Sequence, residues 1–426
     1  MGATGNPTLG HAPTEPIEGT PEGKAMTTRL RSFATTNQRV LTLTGIAVLH
    51  VTAMVMMRQL LPLYLESTGS SAGIIGIVTS LFSFMPLLVA LPGGTITDFV
   101  GYRIVMVSGS AALAATALLL STLPTTLPVM ISQLLAGLGH ILVLLAAQAY
   151  VANLGGGRER ARNFAIFFSG PPIGFLVGPP LAGFLRDTYG FGTAFLVGGA
   201  ISTVVALWCL RVQEIGVTDR GQQSLLALLR EELPHTLRRS GSLLKSPAIR
   251  LSMIVSVSLL MVMTLRTSFL LIHLEDLGLS ALHIGIVVAA VSAVSLVLRP
   301  FMSNLIGRFG QLTVLTAAFS IGAAGLGILA TAETFGTLIL GATLFGVAPA
   351  YVLPVSLAIL TANAPDDIQG MAIGLRQTGN PVGLMVGPLL FGVVTSYLGA
   401  GLAIALGGII LLGMAIATRF LTADDD

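Results

Sequence analysis

Apolar residues fall along this chain in runs of membrane length, separated by short polar breaks. A helix needs about 20 apolar residues to cross a bilayer. The first runs lie near 41–65, 73–97, 103–123, 128–152, 162–185 and 191–211. A second set lies near 251–274, 281–306, 311–331, 335–361, 371–397 and 399–420. The pattern predicts an all-α polytopic membrane protein of twelve transmembrane helices. Short breaks within each set imply antiparallel neighbours.

The two sets repeat each other in register at an offset of 209 residues. Glu66, Gly69, Gly76, Gly101, Gly137, Gly174, Gly178, Pro179, Gly183 and Gly190 recur as Glu275, Gly278, Gly285, Gly310, Gly346, Gly383, Gly387, Pro388, Gly392 and Gly399. Most matches are Gly or Pro, so the halves share backbone geometry rather than chemistry. Two pseudo-symmetric six-helix halves suit a site between them, opened to alternate sides as one half rocks on the other. The expected organisation is a disordered cytoplasmic tail (1–39), an N-terminal half (40–211), a linker (212–249), a C-terminal half (250–421) and an acidic tail (422–426). Met26 is a possible second start. Leu225, Leu226, Leu228 and Leu229 among charged residues make the linker read as amphipathic helices on the inner leaflet, or as a plain tether.

Composition agrees: 53% of residues are hydrophobic and 10% charged, against roughly 25% charged in soluble domains. Charge also orients the chain. With the N-terminus inside, the inner loops collect Arg103, Arg158, Arg160, Arg162, Arg211, Arg250 and Arg308. The outer loops hold Arg186 beside Glu66, Asp187, Glu275, Asp276 and Glu333. Positive residues favour the cytoplasmic side, so both termini are expected there, most simply in a bacterial cytoplasmic (inner) membrane. The lone Cys209 allows no disulfide within the chain and no metal framework.

The loop between runs 2 and 3 places Gly94, Asp98, Gly101 and Arg103 at fixed spacing. It resembles the cytoplasmic signature loop of the major facilitator superfamily, a large family of secondary transporters. Gly174, Gly178, Pro179 and Gly183 in run 5 resemble the Gly-Pro motif of many exporters of that superfamily. The resemblance covers residues 40 to 421. It implies that spans 1, 4, 7 and 10 surround a central cavity and that Gly94, Asp98, Gly101 and Arg103 latch the halves together. It also suggests that Gly174, Gly178, Pro179, Gly383, Gly387 and Pro388 let helices bend and pack.

Four arginines interrupt the runs: Arg58, Arg266, Arg299 and Arg376. Each costs about 2.5–3.5 kcal/mol at mid-membrane on insertion scales, so each needs a partnered or wet surrounding. Arg58 and Arg266 occupy near-equivalent places in the two halves, roughly 6–8 Å outward of their span centres at the helical rise. No carboxylate lies within the runs to neutralise them. Arg offers a planar fork that matches carboxylate, phosphate or sulfate. Arg299 and Arg376 lie nearer the cytoplasm, where they can also snorkel or bond helix carbonyls. Gln59, Tyr64, His140, Gln148, Thr267, His273, Gln377 and Asn380 complete the candidate substrate-binding set. His273 follows Arg266 by seven residues, on the same face of an uninterrupted helix. His50 and His273 are the candidate proton carriers, because His titrates near neutrality.

The function expected is a secondary transporter moving a small anionic solute by alternating access, most simply as a monomer, with protons or a counter-transported ion as possible partners. One alternative is an exporter of hydrophobic drug-like compounds, favoured by the Gly-Pro motif and disfavoured by the missing carboxylate. Copper transport, through His50, Met54, Met56, Met57, Met261 and Met263, is a further alternative. Met more often fills packing gaps, and Arg58 one turn from Met54 would repel a cation. No nucleotide-binding loop and no acid–base or metal cluster occurs, so neither an enzyme, a cofactor, a resident metal nor a nucleic-acid partner is expected.

Overall fold

The structure is a computed structural model that describes residues 21–90, 92–122, 125–215, 246–363 and 369–423. The linker helices expected within 212–249 lie, from 216 to 245, outside the described residues. Every regular element described is helical. They are α1 (Pro21–Ser67), α2 (Ala72–Val89), α3 (Gly93–Val100), α4 (Tyr102–Thr122), α5 (Thr126–Ala152), α6 (Gly157–Phe168) and α7 (Gly170–Cys209). After the linker come α8 (Pro247–Thr267), α9 (Phe269–Asp276), α10 (Ala281–Leu298), a 3-10 turn (Arg299–Phe301), α11 (Met302–Phe309), α12 (Gln311–Thr331), α13 (Phe335–Asn363), α14 (Gln369–Leu398) and α15 (Ala400–Ala423). α1 is helical from Pro21, where the sequence suggested an unstructured tail to residue 39.

Eleven stretches among the described residues are long and apolar enough to cross a membrane. One of them, Glu159–Cys209, holds 51 residues and breaks at Gly190, where φ is 82° and ψ 173°. Its two legs cover the expected fifth and sixth apolar runs, which meet at a glycine without a loop. Gly399 matches it with φ 85° between α14 and α15. An L side chain at either place would meet the steric penalty of positive φ.

The repeat is visible in hydrogen bonds. Gly69 N–H donates to the Glu66 carbonyl and Gly278 N–H to that of Glu275, each at 2.8 Å. Ser71 Oγ then accepts from Ile74 N–H, and Ser280 Oγ from His283 N–H, starting α2 and α10 alike. These satisfy backbone donors that a helix start leaves unpaired.

Packing repeats too. In the first half α1 packs on α7, α4 on α5 and α7, and α2 on α5. In the second, α8 packs on α14, α12 on α13 and α15, and α10 on α13. The halves meet where α2 crosses α14 and α7 crosses α10. At these crossings Gly76 lies against Pro388 and Gly392, and Gly285 against Pro179 and Pro180. A Cβ at either glycine would collide with backbone. Small residues permit such approach in lipid, where helices associate through packing rather than hydrophobic exclusion.

The Gly-Pro motifs serve this packing. Gly174 and Gly178 lie against Val51 and Thr52 of α1, while Gly383 and Gly387 lie against Val257 and Met261 of α8. Within α7 the non-helical dihedral falls at Gly190, with the helix continuing through Pro179. Gly174, Gly178, Gly383 and Gly387 thus sit at close helix contacts, and the one non-helical dihedral within α7 lies at Gly190.

Candidate functional site: two arginines in one inter-half cavity

α1 and α8 each carry one arginine to a cavity between the halves. Its lining is Val55, Arg58, Gln59, Phe175, Pro179, Arg266, Thr267 and Val288. Backbone irregularities sit beside both cations. Pro62 lacks an N–H, so the Arg58 carbonyl loses its helical donor four residues on. α8 ends at Ser268, whose φ of −140° and ψ of −85° are not helical. Arg266 thus occupies the last turn of α8, where carbonyl dipoles favour a cation.

Each guanidinium rests on an aromatic ring. Arg58 Cζ lies 4.3 Å from the centre of Phe82 on α2, and Arg266 Cζ lies 5.3 Å from that of Phe175 on α7. Both are within cation–π range. Arg266 Nη1 also donates to Ser292 Oγ on α10 at 2.9 Å. Arg266 is 7% exposed and Gln59 3%, and Arg266 Nε and Gln59 Oε1 have no partner. No carboxylate lies among the lining residues. The cavity therefore concentrates positive charge, with unused hydrogen-bonding atoms, between apolar and aromatic walls.

Other candidates lie elsewhere. His273 sits on α9, beyond the break at Ser268 that resets the helix phase, and packs against Gly401 of α15. The seven-residue spacing from Arg266 therefore does not bring it to the cavity. Arg376 on α14 donates to the Leu353 carbonyl at 2.9 Å and to Ser356 Oγ at 3.0 Å, tying itself to α13. Gln377 Oε1 accepts from Asn380 Nδ2 at 3.3 Å, near the same end. Arg299 is exposed in the 3-10 turn. Tyr64 packs edge-on against Phe191 and Phe195. Gln148 is half-buried on α5, two turns beyond His140. His140 instead meets His50, Nε2 of His50 lying 3.2 Å from Nδ1 of His140.

In the expected latch, Gly94 lies in α3 and Gly101 joins α3 to α4 with φ 98°. The Arg103 backbone N–H donates to the Glu214 carboxylate at 3.1 Å. The Asp98 side chain lies outside the described residues. Phe82, Phe175 and Ser292 went unnoticed in the sequence, because an aromatic or a serine in an apolar run carries no distinguishing signal.

At the end marked by Glu66 and Glu275 the halves are joined by charge. Arg186 on α7 donates to the carboxylate of Glu275, in the last turn of α9. The Asp187 carboxylate accepts from the backbone N–H groups of Ala281 and Leu282, at 3.1 and 2.8 Å, where α10 begins. The repeat puts Thr395 and Ser396 in the equivalent positions, so the clasp is symmetric in place and asymmetric in charge.

Comparison with known proteins names the class. The family model of the Major Facilitator Superfamily matches residues 43–274 and 251–426, and the chain belongs to that family. An uncharacterized MFS-type transporter of Methanocaldococcus jannaschii is 22% identical over 80% of this chain and 86% of its own length. The multidrug resistance protein MdtG of Enterobacter lignolyticus is 26% identical over 84% of this chain and 86% of its own length. The crystal structure of the nucleoside transporter NupG (D323A mutant) superposes with a TM-score of 0.74 at 16% identity, covering 89% of this chain and 99% of that one. The protein is an integral multi-pass membrane transporter.

Proposed function

We propose that this transporter carries a small anion, held between the halves by Arg58 and Arg266. One observation carries the reading: two guanidinium groups line one inter-half cavity that has no carboxylate lining residue. A bound anion supplies the missing counter-charge, and its withdrawal lets the cavity re-form toward the other side. Twelve crossings with both termini cytoplasmic, in a bacterial inner membrane, accompany this reading, with access alternating by rocking of the halves.

The test is uptake of radiolabelled anions, including benzoate, citrate and inorganic phosphate, into proteoliposomes. Hydrogen bonds to charged groups contribute about 1.5–3 kcal/mol. Arg58→Ala or Arg266→Ala should therefore weaken binding of a transported anion roughly ten- to hundredfold. Unchanged uptake in both variants would defeat the proposal. The second reading, export of drug-like compounds, has its own support in the relation to MdtG and in the walls of Phe175, Val55, Val288 and Pro179. Under that reading, cationic or neutral drugs raise the melting temperature of the detergent-solubilised protein and anions do not.

A further inference from the structure

Two imidazoles remain unused by the anion reading, one aromatic ring away from Arg58. His50 on α1 and His140 on α5 have ring planes 1° apart and centroids 5.4 Å apart, with nitrogens at 3.2 Å. Parallel rings with these separations admit one arrangement. Both nitrogens lie on the line between the centroids, and the rings share a plane. They meet edge to edge, as an N–H···N hydrogen bond requires, rather than face to face. A metal ion about 2.0–2.1 Å from both nitrogens would lie off the line between them and so off both ring lone-pair directions, and no group of three or more His, Cys, Asp or Glu side chains that could hold a metal occurs among the described residues.

Either ring nitrogen can donate across this gap. His50 is 1% exposed, and its far nitrogen, Nδ1, has no partner. Phe82 touches both parties: its ring lies 5.8 Å from that of His140 and 4.3 Å from Arg58 Cζ. The charge one ring away from the pair is that of Arg58. Arg58 lies on the same helix as His50, and Arg266 lies across the cavity. On the helices of the pair themselves, α1 also has Arg39, Tyr64 and Glu66, and α5 has Tyr150. Of those packed against them, α2 carries no charged residue, α3 has Asp98, α4 has Tyr102 and Arg103 at its start, α6 has Arg158, Glu159, Arg160 and Arg162, α8 has Arg250 and Arg266, and α9 has His273, Glu275 and Asp276. α7 has Arg186, Asp187 and Tyr189 near its bend and Cys209 at its end. A proton on the pair would place a second cation one aromatic ring from Arg58, and like charges in a low-dielectric interior repel. An anion on Arg58 removes that obstacle.

We propose that His50 and His140 form a single-proton site coupled through Arg58 to the anion cavity, so that anion and proton cross together. This deepens the anion reading and, for the coupling, rests on it. A proton from water on one side adds to the free ring nitrogen of the pair, is shared across the hydrogen bond, and leaves to water on the other side. No other bond changes. With a monoanion the cycle moves no net charge.

The first test needs no substrate. The full chain, labelled with 15N-histidine in lipid nanodiscs, is titrated and its ring-nitrogen signals are followed by NMR. His50 and His140, assigned through H50Q and H140Q, should respond together as one proton. In R58Q the ratio of protonated to neutral pair at a fixed pH should rise about tenfold or more, as expected when a nearby like charge is removed. R58K should restore the wild-type ratio. Independent titration, or a ratio unmoved in R58Q, overturns the proposal. The second test uses proteoliposomes with an entrapped pH dye and benzoate, citrate and inorganic phosphate as probes. Each probe carried should bring protons inward, and H140Q should abolish the proton signal while anion uptake persists. Anion uptake without protons in the wild type defeats the coupling alone. If none of the three is carried, the anion reading fails, and the NMR result still decides whether the pair is a proton site.

Discussion

An arginine within a bilayer is defined by what it touches. Arg376 and Arg266 are similarly buried, at 8% and 7% exposure, yet their surroundings differ. Arg376 spends its donors on a carbonyl and a hydroxyl of α13. Arg266 donates to one hydroxyl, that of Ser292, and presents a face to the cavity, while Nε is unpartnered in both. Arg376→Ala should therefore lower stability by about 1.5–3 kcal/mol, the worth of hydrogen bonds to a charged group. Binding of the transported anion should change little. Thermal unfolding and a binding isotherm on the same preparation would separate these effects. The arginines were legible in the sequence because a lone charge in an apolar run is conspicuous. Their aromatic partners were not, since Phe82 and Phe175 look like any other membrane-facing residue until the helices are placed.

At the scale of the helix, glycine decides where backbones meet. Gly285 lies against the backbone of Pro179 and Pro180, so any Cβ there must push α10 away from α7. Gly285→Val should pry this crossing apart at the cost of overpacking, about 1–3 kcal/mol. A Cys placed at Val55 in the cavity lining reports the change, since the native Cys209 is buried. An impermeant maleimide added on the side of Glu66 and Glu275 should label Val55→Cys faster when Gly285→Val is also present. Helix breaks matter as much as contacts. The periodicity of residues 251–274 reads as one helix, but Ser268 divides it, and His273 turns toward α15. Propensity does not reveal that break, because serine is an ordinary helix residue whose dihedrals here follow from its surroundings.

At the scale of the whole molecule, the two crossings are alike in shape but unlike in charge. The α7–α10 crossing carries Arg186 on Glu275 and Asp187 at the start of α10. The α2–α14 crossing has Thr395 and Ser396 instead, and the buried Thr395 hydroxyl has no partner. One crossing is thus clasped by ions and the other by packing. Glu275→Gln should loosen the first and speed labelling of Val55→Cys from that side. Labelling of Val55→Cys unchanged by Glu275→Gln would show that packing alone holds the crossing.

The chain by itself determined the membrane solvent, the runs that become helices and the repeat of 209 residues. These follow from composition and spacing, which act locally and need no knowledge of neighbours. Gly69, Gly101 and Gly190, with their counterparts Gly278, Gly310 and Gly399, were readable as shared geometry, and they are the repeat's positive-φ positions. Only the tertiary structure decided which polar groups share a space. It brought Arg58 to one cavity with Arg266, tied Arg376 to α13, and joined His50 to His140 across 90 residues. Such pairings depend on helix rotation and on breaks like Ser268, which are set by contacts between segments far apart in the chain.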